Sequence, residues 1–170
     1  SVFSRAKSRP FLALFGLYLA TLHPAWRLDD SPETTVASLN LGVQHAPGYP
    51  LATMLGKLAS ALPAGDARLR VNLAAAALMA GAAVAVGAAT RALVPGPAGA
   101  GLLAALAFGV APLAWHWAVS SRGIVYGLNL LLALGMFLAA ARGRPVAVGL
   151  LAGCALANHW MGAVWWIPGA

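Results

Sequence analysis

The chain has 170 residues, of which 61% are apolar and only 9% are charged. So few charged side chains are insufficient to cover a water-soluble globule of this length, which excludes a soluble enzyme and predicts an integral membrane protein. The formal net charge of +7 does not indicate nucleic acid as a partner, because the basic residues lie singly or in short groups between apolar runs.

Five apolar stretches predict helices that cross the lipid bilayer, since their lengths lie near the ~20 residues needed for ~30 Å of hydrocarbon. We place them at residues 10–26, 70–94, 98–119, 124–141 and 145–167. The first stretch leads into no small-residue cleavage site, so we interpret it as a retained span. The predicted fold class is all-α, a polytopic transmembrane helix bundle forming a single domain, and we expect it to be the N-terminal part of a longer protein.

The connection at residues 27–69 is the least apolar part of the chain and predicts two interfacial helices. Ser31-Pro32-Glu33 is typical of a helix start with Ser31 as the cap. From Tyr49 to Leu62, one face is apolar, as in a short helix that lies at the membrane surface. The side chains on that face are Leu51, Met54, Leu55, Leu58 and Leu62.

Small residues in the later spans predict close contacts between helices. An alanine-rich tract runs from Asn72 to Thr90 and suits close helix approach rather than lipid contact on every side. Gly123-x-x-x-Gly127 and Gly149-x-x-x-Gly153 add two small-residue contact sites.

The basic residues favour a cytoplasmic N-terminus, which makes the loop at 27–69 extracytoplasmic. The inner basic residues are then Arg5, Lys7, Arg9, Arg91, Arg142 and Arg144. The outer ones are Arg27, Lys57, Arg68, Arg70 and Arg122. We interpret the outer group as retained for binding an anion, and we expect a multi-pass protein of a bacterial plasma membrane.

An acid cluster follows the first span. Asp29, Asp30 and Glu33 are three of the four acidic residues of the chain, and acids just outside a span are a candidate reaction centre, although a solvated helix start has the same pattern. A divalent metal held by Asp30, Glu33 and His45 is conceivable. No ligand spacing demands one, so no metal or other cofactor is predicted.

Motifs in a fixed order connect this cluster with the rest of the chain. They are Leu28-Asp29-Asp30-Ser31-Pro32-Glu33, His45-Ala46-Pro47-Gly48-Tyr49-Pro50, Arg70-Val71-Asn72 and Asn158-His159. This series resembles the N-terminal half of the protein O-mannosyltransferase-like family of multi-pass membrane proteins, within the GT-C glycosyltransferases. The resemblance covers nearly all of the chain.

The resemblance implies a catalytic carboxylate in the first extracytoplasmic loop and a polyprenyl phosphate sugar as donor. The acidic motif of the family falls on Asp30 and Glu33. Asp29 stands where glycine is usual, so the choice between the two aspartates stays open. Ile124 stands where a glutamate is expected before Val125-Tyr126, which implies altered specificity or impaired activity.

Transfer from a lipid phosphate sugar needs a base for the acceptor hydroxyl and a cation for the leaving phosphate. We predict Asp30 as the base, with Glu33 binding a sugar hydroxyl or raising the pKa of the base, and Arg70 as the first phosphate ligand. Further residues predicted at the donor site are Lys57, Arg68, His45, Tyr49 and His159. The predicted reaction moves mannose or another hexose to a hydroxyl of a protein or glycan acceptor, and we expect the isolated 170 residues to be inactive.

Two other functions stay open. A transporter or flippase would use the acidic loop as a gate, with His159 and Arg122 along the path. A non-catalytic subunit would keep the fold without activity, and the departure at Ile124 is compatible with it.

Overall fold

The computed structural model describes residues 2–25, 27–94, 96–97 and 99–166, and all secondary structure in these residues is helical. The helices are α1 (Val2–Ala20), α2 (Ser31–Asn40), α3 (Pro50–Ser60), α4 (Ala67–Leu93), α5 (Ala100–Gly109), α6 (Pro112–Ala118), α7 (Gly123–Ala140) and α8 (Pro145–Trp166). The predicted all-α class is confirmed.

Helix α4 forms the centre of the fold because its side chains are small. It packs against α1, α2, α3, α5, α6 and α7, and most of its buried residues are alanines. A methyl side chain lets a neighbouring backbone approach closely. At Gly87 the approach of α5 is so close that an added Cβ would collide with the Gly101 carbonyl oxygen. The prediction of close packing by the alanine-rich tract is confirmed.

Two of the described helices, α4 and α7, are long and apolar enough to cross a membrane, and α5 with α6 forms a third candidate that is bent by 64°. The bend lies just before Pro112, a residue that cannot donate a backbone hydrogen bond and that disfavours helical geometry in the residue before it. The stretch predicted as one span at residues 98–119 is therefore two helices.

The first and last helices differ from their predicted spans. Helix α1 ends at Ala20 rather than at residue 26, because the chain turns at Thr21 and reaches Pro24. Helix α8 contains non-helical backbone at His159. Their apolar parts, Arg9–Ala20 and Pro145–Trp160, are shorter than a usual span, so their crossing of the bilayer stays a prediction.

Helix α1 packs onto the bend between α5 and α6. The fully buried Tyr18 donates a hydrogen bond of 2.7 Å from its hydroxyl to the Gly109 carbonyl oxygen. The Leu14 side chain occupies the space that the missing side chain of Gly109 leaves. Because a bend frees carbonyl groups from helical bonding, Tyr18 satisfies one that would otherwise be unpaired in an apolar setting.

Helices α2 and α3 confirm the two predicted helices of the loop, while their position at a membrane surface stays a prediction. Helix α2 begins at Ser31, but the predicted Ser31 cap is wrong. Asp30 occupies the cap position without a side-chain bond, and Asp29 Oδ1 accepts the Ser31 N–H at 2.8 Å. The apolar face of α3 is divided. Leu51 and Leu55 pack against the core, and Met54, Leu58 and Leu62 are exposed.

The two predicted glycine pairs behave differently. An added Cβ at Gly127 would lie 3.1 Å from Leu78 Cβ, and one at Gly123 would collide with the Trp117 carbonyl, so the first pair is confirmed as a close contact. Gly149 and Gly153 have no atom of the described chain within 4 Å of such a position. The contact predicted for the second pair is wrong within this part of the protein.

Candidate functional site

Asp29 is engaged in the local structure of the turn before α2. One carboxylate oxygen accepts the Ser31 N–H, and the other lies 3.3 Å from Arg27 Nε. Burial raises the pKa of the Asp29 carboxyl, but the hydrogen bonds from Ser31 and the charge of Arg27 outweigh it and leave that pKa below its ordinary value. Asp29 is therefore a partnered carboxylate that holds the start of α2.

Asp30 has a different environment, although it is the next residue. Its side chain is 51% exposed, and its Oδ2 lies 3.6 Å from Arg122 Nη2 and 3.8 Å from His45 Nε2. No side-chain hydrogen bond caps α2 from this position. Asp30 thus combines access to solvent with a neighbouring cation, whereas the Asp29 carboxylate is engaged with Ser31 and Arg27.

Arg122 is the cation at this site, and it is 1% exposed. Its Nη1 donates to Gln44 Oε1 at 2.8 Å and to Thr34 Oγ1 at 3.3 Å. Its Cζ lies 4.2 Å from the centre of the Tyr49 ring, a cation–π contact. Its buried Nε has no hydrogen-bond partner among the described residues. A buried charge is costly without partners, so this network is needed to hold the guanidinium in place.

Residues from distant parts of the chain position Arg122. Its backbone N–H donates to Ser31 Oγ at 3.3 Å, which joins the turn before α7 to α2. The neighbouring Ser121 donates to Asn72 Oδ1 of α4 at 2.6 Å. Asn72, the last residue of the Arg-Val-Asn motif, is therefore connected to Arg122 through the neighbouring Ser121.

The segment from His45 to Pro50 brings the loop back to α2. Gly48 has a φ of +102°, a conformation that favours glycine, and the chain then places the Tyr49 ring in the core, 4% exposed. Gln44, just before this segment, is 2% exposed and joins Arg122 to Thr53 of α3, its Nε2 donating to Thr53 Oγ1 at 2.9 Å.

Glu33 and His45 contact each other through two short hydrogen bonds. Glu33 Oε1 accepts the His45 backbone N–H at 2.6 Å, and Glu33 Oε2 lies 2.6 Å from His45 Nδ1. Burial raises the pKa of the Glu33 carboxyl, but the two hydrogen bonds from His45, together with the charges of His45 and Arg122, leave that pKa below its ordinary value.

Asp30, Glu33 and His45 can also offer a metal ion one ligand atom each, and these atoms lie within 4.8 Å of one another. Two carboxylates and an imidazole suit several divalent cations. Binding would compete with the existing contacts, because both oxygens of Glu33 are bonded to His45 and Arg122 already lies beside Asp30.

The predicted phosphate ligands contact backbone carbonyls elsewhere. Arg70 donates to the carbonyls of Ser60, Ala64 and Gly65, each at 2.9 Å. Arg68 donates to the His23 carbonyl at 2.5 Å, and Lys57 to the Leu39 carbonyl at 2.6 Å. Within the described residues, none of the three forms an ion pair with Asp30 or Glu33. Phosphate binding by these cations stays a prediction.

The Tyr49 ring, which lies against Arg122, also contacts the His45 and His159 rings. The Tyr49 ring lies 5.8 Å from the His45 ring and 5.2 Å from the His159 ring, in edge-on contacts. Asn158 donates to the Val125 carbonyl at 3.0 Å. Ile124 is fully buried in the apolar core with Tyr49, so the position expected to carry a glutamate is used for packing.

The sequence places Arg122 in the outer basic group interpreted as anion-binding and in the transport alternative, but not among the residues predicted at the donor site. A signal was available, since a lone arginine preceded by two serines between apolar stretches must find polar partners. No comparable signal marks Gln44 or Thr34, because isolated uncharged polar residues are common in loops and helix starts.

Comparison with known proteins gives an independent view of the chain. Residues 30–168 match the family described as the protein O-mannosyl-transferase TMEM260 N-terminal domain. A curated relative from Mus musculus, "Protein O-mannosyl-transferase TMEM260", is 34% identical over 120 residues. That alignment covers 70% of this chain and 17% of the relative, so the chain spans a small part of the length of the protein it matches. No solved structure matches the chain.

Proposed function

Because this chain belongs to the TMEM260 N-terminal domain family of protein O-mannosyl-transferases, we propose that it carries the acidic loop of a membrane glycosyltransferase. The reaction is transfer of mannose or another hexose from a polyprenyl phosphate to a hydroxyl of a protein or glycan. The family match begins at Asp30 and includes Glu33, His45 and Arg122, which are the residues that converge at the site.

Asp30 acts as the general base in this proposal. It takes the proton of the acceptor hydroxyl while the acceptor oxygen attacks the anomeric carbon, and the bond from that carbon to the phosphate oxygen breaks. Polyprenyl phosphate leaves with the electrons of that bond. A positioned base contributes about 10² to 10⁴ in rate.

The observation that carries the proposal is the pairing of an accessible carboxylate with a fixed cation. Arg122 Nη2 lies 3.6 Å from Asp30 Oδ2, and Arg122 is held by buried hydrogen bonds while Asp30 is half-exposed. A cation fixed before the reaction stabilises the charge that develops on a leaving phosphate. We assign this role to Arg122 because it lies beside Asp30, whereas Arg70 is bonded to the carbonyls of Ser60, Ala64 and Gly65.

The donor reaches the site from the bilayer in the proposed topology. The N-terminus is cytoplasmic, the helices that follow α3 form a membrane bundle, and α2 and α3 lie at the extracytoplasmic surface. A lipid-borne sugar then meets Asp30 without leaving the membrane. The kind of membrane stays a prediction.

Transfer by the full-length protein in membranes, from a radiolabelled polyprenyl phosphate mannose, tests this function. We expect Asp30→Asn to lower transfer by about 10² or more, and Asp29→Asn to lower it less. Normal transfer by Asp30→Asn would remove that residue from the role of base. Solute flux without transfer by the wild type would favour a transporter, and a folded protein with neither activity would indicate a non-catalytic subunit.

A further inference from the structure

We propose that His45 receives from Asp30 the proton that Asp30 takes from the acceptor, and that Glu33 is the positioning residue that prepares His45 for this step. The inference rests on the proposed transfer reaction. It gives Glu33 and His45 roles other than the sugar and phosphate contacts expected from the sequence.

The contacts of Glu33 fix the proton on one nitrogen of the imidazole. A carboxylate only accepts hydrogen bonds, so the 2.6 Å contact between Glu33 Oε2 and His45 Nδ1 requires a hydrogen on Nδ1. The His45 backbone N–H, which donates to Glu33 Oε1 at 2.6 Å, prevents that carboxylate from turning away. Neutral His45 therefore has its lone pair on Nε2.

That lone pair faces the proposed base. His45 Nε2 lies 3.8 Å from Asp30 Oδ2 and 3.5 Å from Arg122 Nη2. The first distance is slightly longer than a hydrogen bond, and a small side-chain rotation or one bridging water closes it. The ring of Tyr49 lies edge-on at 5.8 Å on another side of His45. Among the residues that the structure describes, the charged groups in contact with the imidazole are Asp30, Glu33 and Arg122.

The proton balance is complete with these residues and solvent. When the acceptor O–H bond breaks, its proton forms a bond to an Asp30 oxygen. It then passes to His45 Nε2, which restores the Asp30 carboxylate and leaves an imidazolium between two carboxylates. Because the His45 side chain is 46% exposed, the imidazolium releases the proton to water before the next turnover.

The decisive variant is His45→Asn in the full-length protein. An asparagine amide can donate to Glu33 from near the Nδ1 position but has no acceptor at the Nε2 position. We expect a kcat about 10² lower with the donor KM changed less than about twofold, and partial recovery of His45→Ala by added imidazole. The matched control is His23→Gln, since the His23 side chain contacts only the nearby Ala25 carbonyl among the contacts described.

Failure of the relay is distinguishable from failure of the transfer proposal. If Asp30→Asn loses activity while His45→Asn and Glu33→Gln keep the wild-type kcat, the relay is wrong and the base assignment stands. If Asp30→Asn retains activity, the base assignment fails and the relay fails with it; if the wild type transfers no sugar, the transfer proposal fails. Loss of transfer in EDTA with recovery in Mn²⁺ would assign the same side chains to a metal and overturn the relay.

A second readout does not depend on activity. Nitrogen NMR of histidine-labelled protein, with the His45 signal identified by its loss in His45→Asn, reports which ring nitrogen carries the proton. We expect the Nδ1–H tautomer in the wild type and a shift towards Nε2–H in Glu33→Gln, whose amide can donate to Nδ1. An Nε2–H tautomer in the wild type would overturn the proposal.

Discussion

At the scale of single residues, two arginines use the same side chain for different tasks. Arg70 places its guanidinium among three carbonyls where the chain turns from α3 to α4. Arg122 places its guanidinium between a polar network and the Asp30 carboxylate. Lysine cannot reproduce either arrangement, because its ammonium lacks the planar fork of donors. Substituting lysine for each arginine in turn therefore separates an effect on stability from an effect on transfer.

We expect Arg70→Lys to lower stability by about 2 kcal/mol, since at least two hydrogen bonds to carbonyls are lost. The KM of Arg70→Lys for the donor should stay at the wild-type value.

Arg122→Lys should reduce transfer at least tenfold even at a temperature where the protein is folded. Thermal unfolding in detergent and steady-state kinetics measure the two effects. A raised donor KM in Arg70→Lys would return the phosphate role to Arg70.

The contact between Glu33 and His45 should also give stability a defined pH dependence. Because the Glu33 pKa is lower in the folded than in the unfolded protein, its contribution is present above pH 4.5, the ordinary value, and is lost as pH falls through the lowered pKa. We expect wild type to be more stable than Glu33→Gln at neutral pH and this difference to vanish in acid. Unfolding temperatures measured across pH test this, and a constant difference would contradict it.

The sequence predicts the carboxylates and the histidine of the site better than it predicts the arginine beside them. Asp30, Glu33 and His45 belong to motifs, and the structure brings all three together. The choice of cation depends on which of several arginines reaches the carboxylate, and that is decided by packing. Arg122 is distant in sequence from α2, and the two become neighbours because α2 and α7 both pack against α4 and the Arg122 N–H donates to Ser31.

At the scale of helices, α2 and α3 contact each other closely at Gly56 of α3, which has no side chain. A Cβ added to Gly56 of α3 would collide with the Ser38 hydroxyl of α2. We expect Gly56→Ala to cost about 1 to 3 kcal/mol. The double variant with Ser38→Gly should lose less than the sum of the two single losses, because the collision is relieved. Thermal unfolding measures all three proteins.

Gly16→Ala is the matched control for this crossing, since an added Cβ there meets no atom of the described chain within 4 Å. Its unfolding temperature should not fall. Strict additivity of the Gly56 and Ser38 substitutions would show that the two helices do not depend on this contact.

The sequence predicts where helices lie more accurately than it predicts whether an apolar stretch forms one helix or two. Alternation of apolar runs with Pro and Gly turns locates α4 and α7 within a few residues of their predicted bounds. The division of residues 98–119 is less visible, because a proline inside an apolar stretch can either kink one helix or end it. In the structure α1 packs against the bend and Tyr18 bonds to the Gly109 carbonyl, a tertiary contact that the local sequence does not show.

At the scale of the whole molecule, the proposed topology places the acidic site and the turn before α8 on opposite sides of the membrane. We expect a cysteine at Asn40 to react with a membrane-impermeant thiol reagent added from outside. A cysteine at Arg144 should react only after the membrane is opened. Asn40 and Arg144 are both exposed, and the exposed Cys154 is first changed to alanine. Labelling of residue 40 only after opening would place the acidic loop in the cytoplasm.

The hydrogen bond from Tyr18 to the Gly109 carbonyl has a consequence for biosynthesis. The ribosome synthesises α1 before α5 and α6, because α1 precedes them in the chain. The Tyr18 hydroxyl is therefore present when the bent pair of α5 and α6 leaves the ribosome. We expect the bent pair to form with the donor that satisfies its Gly109 carbonyl already present.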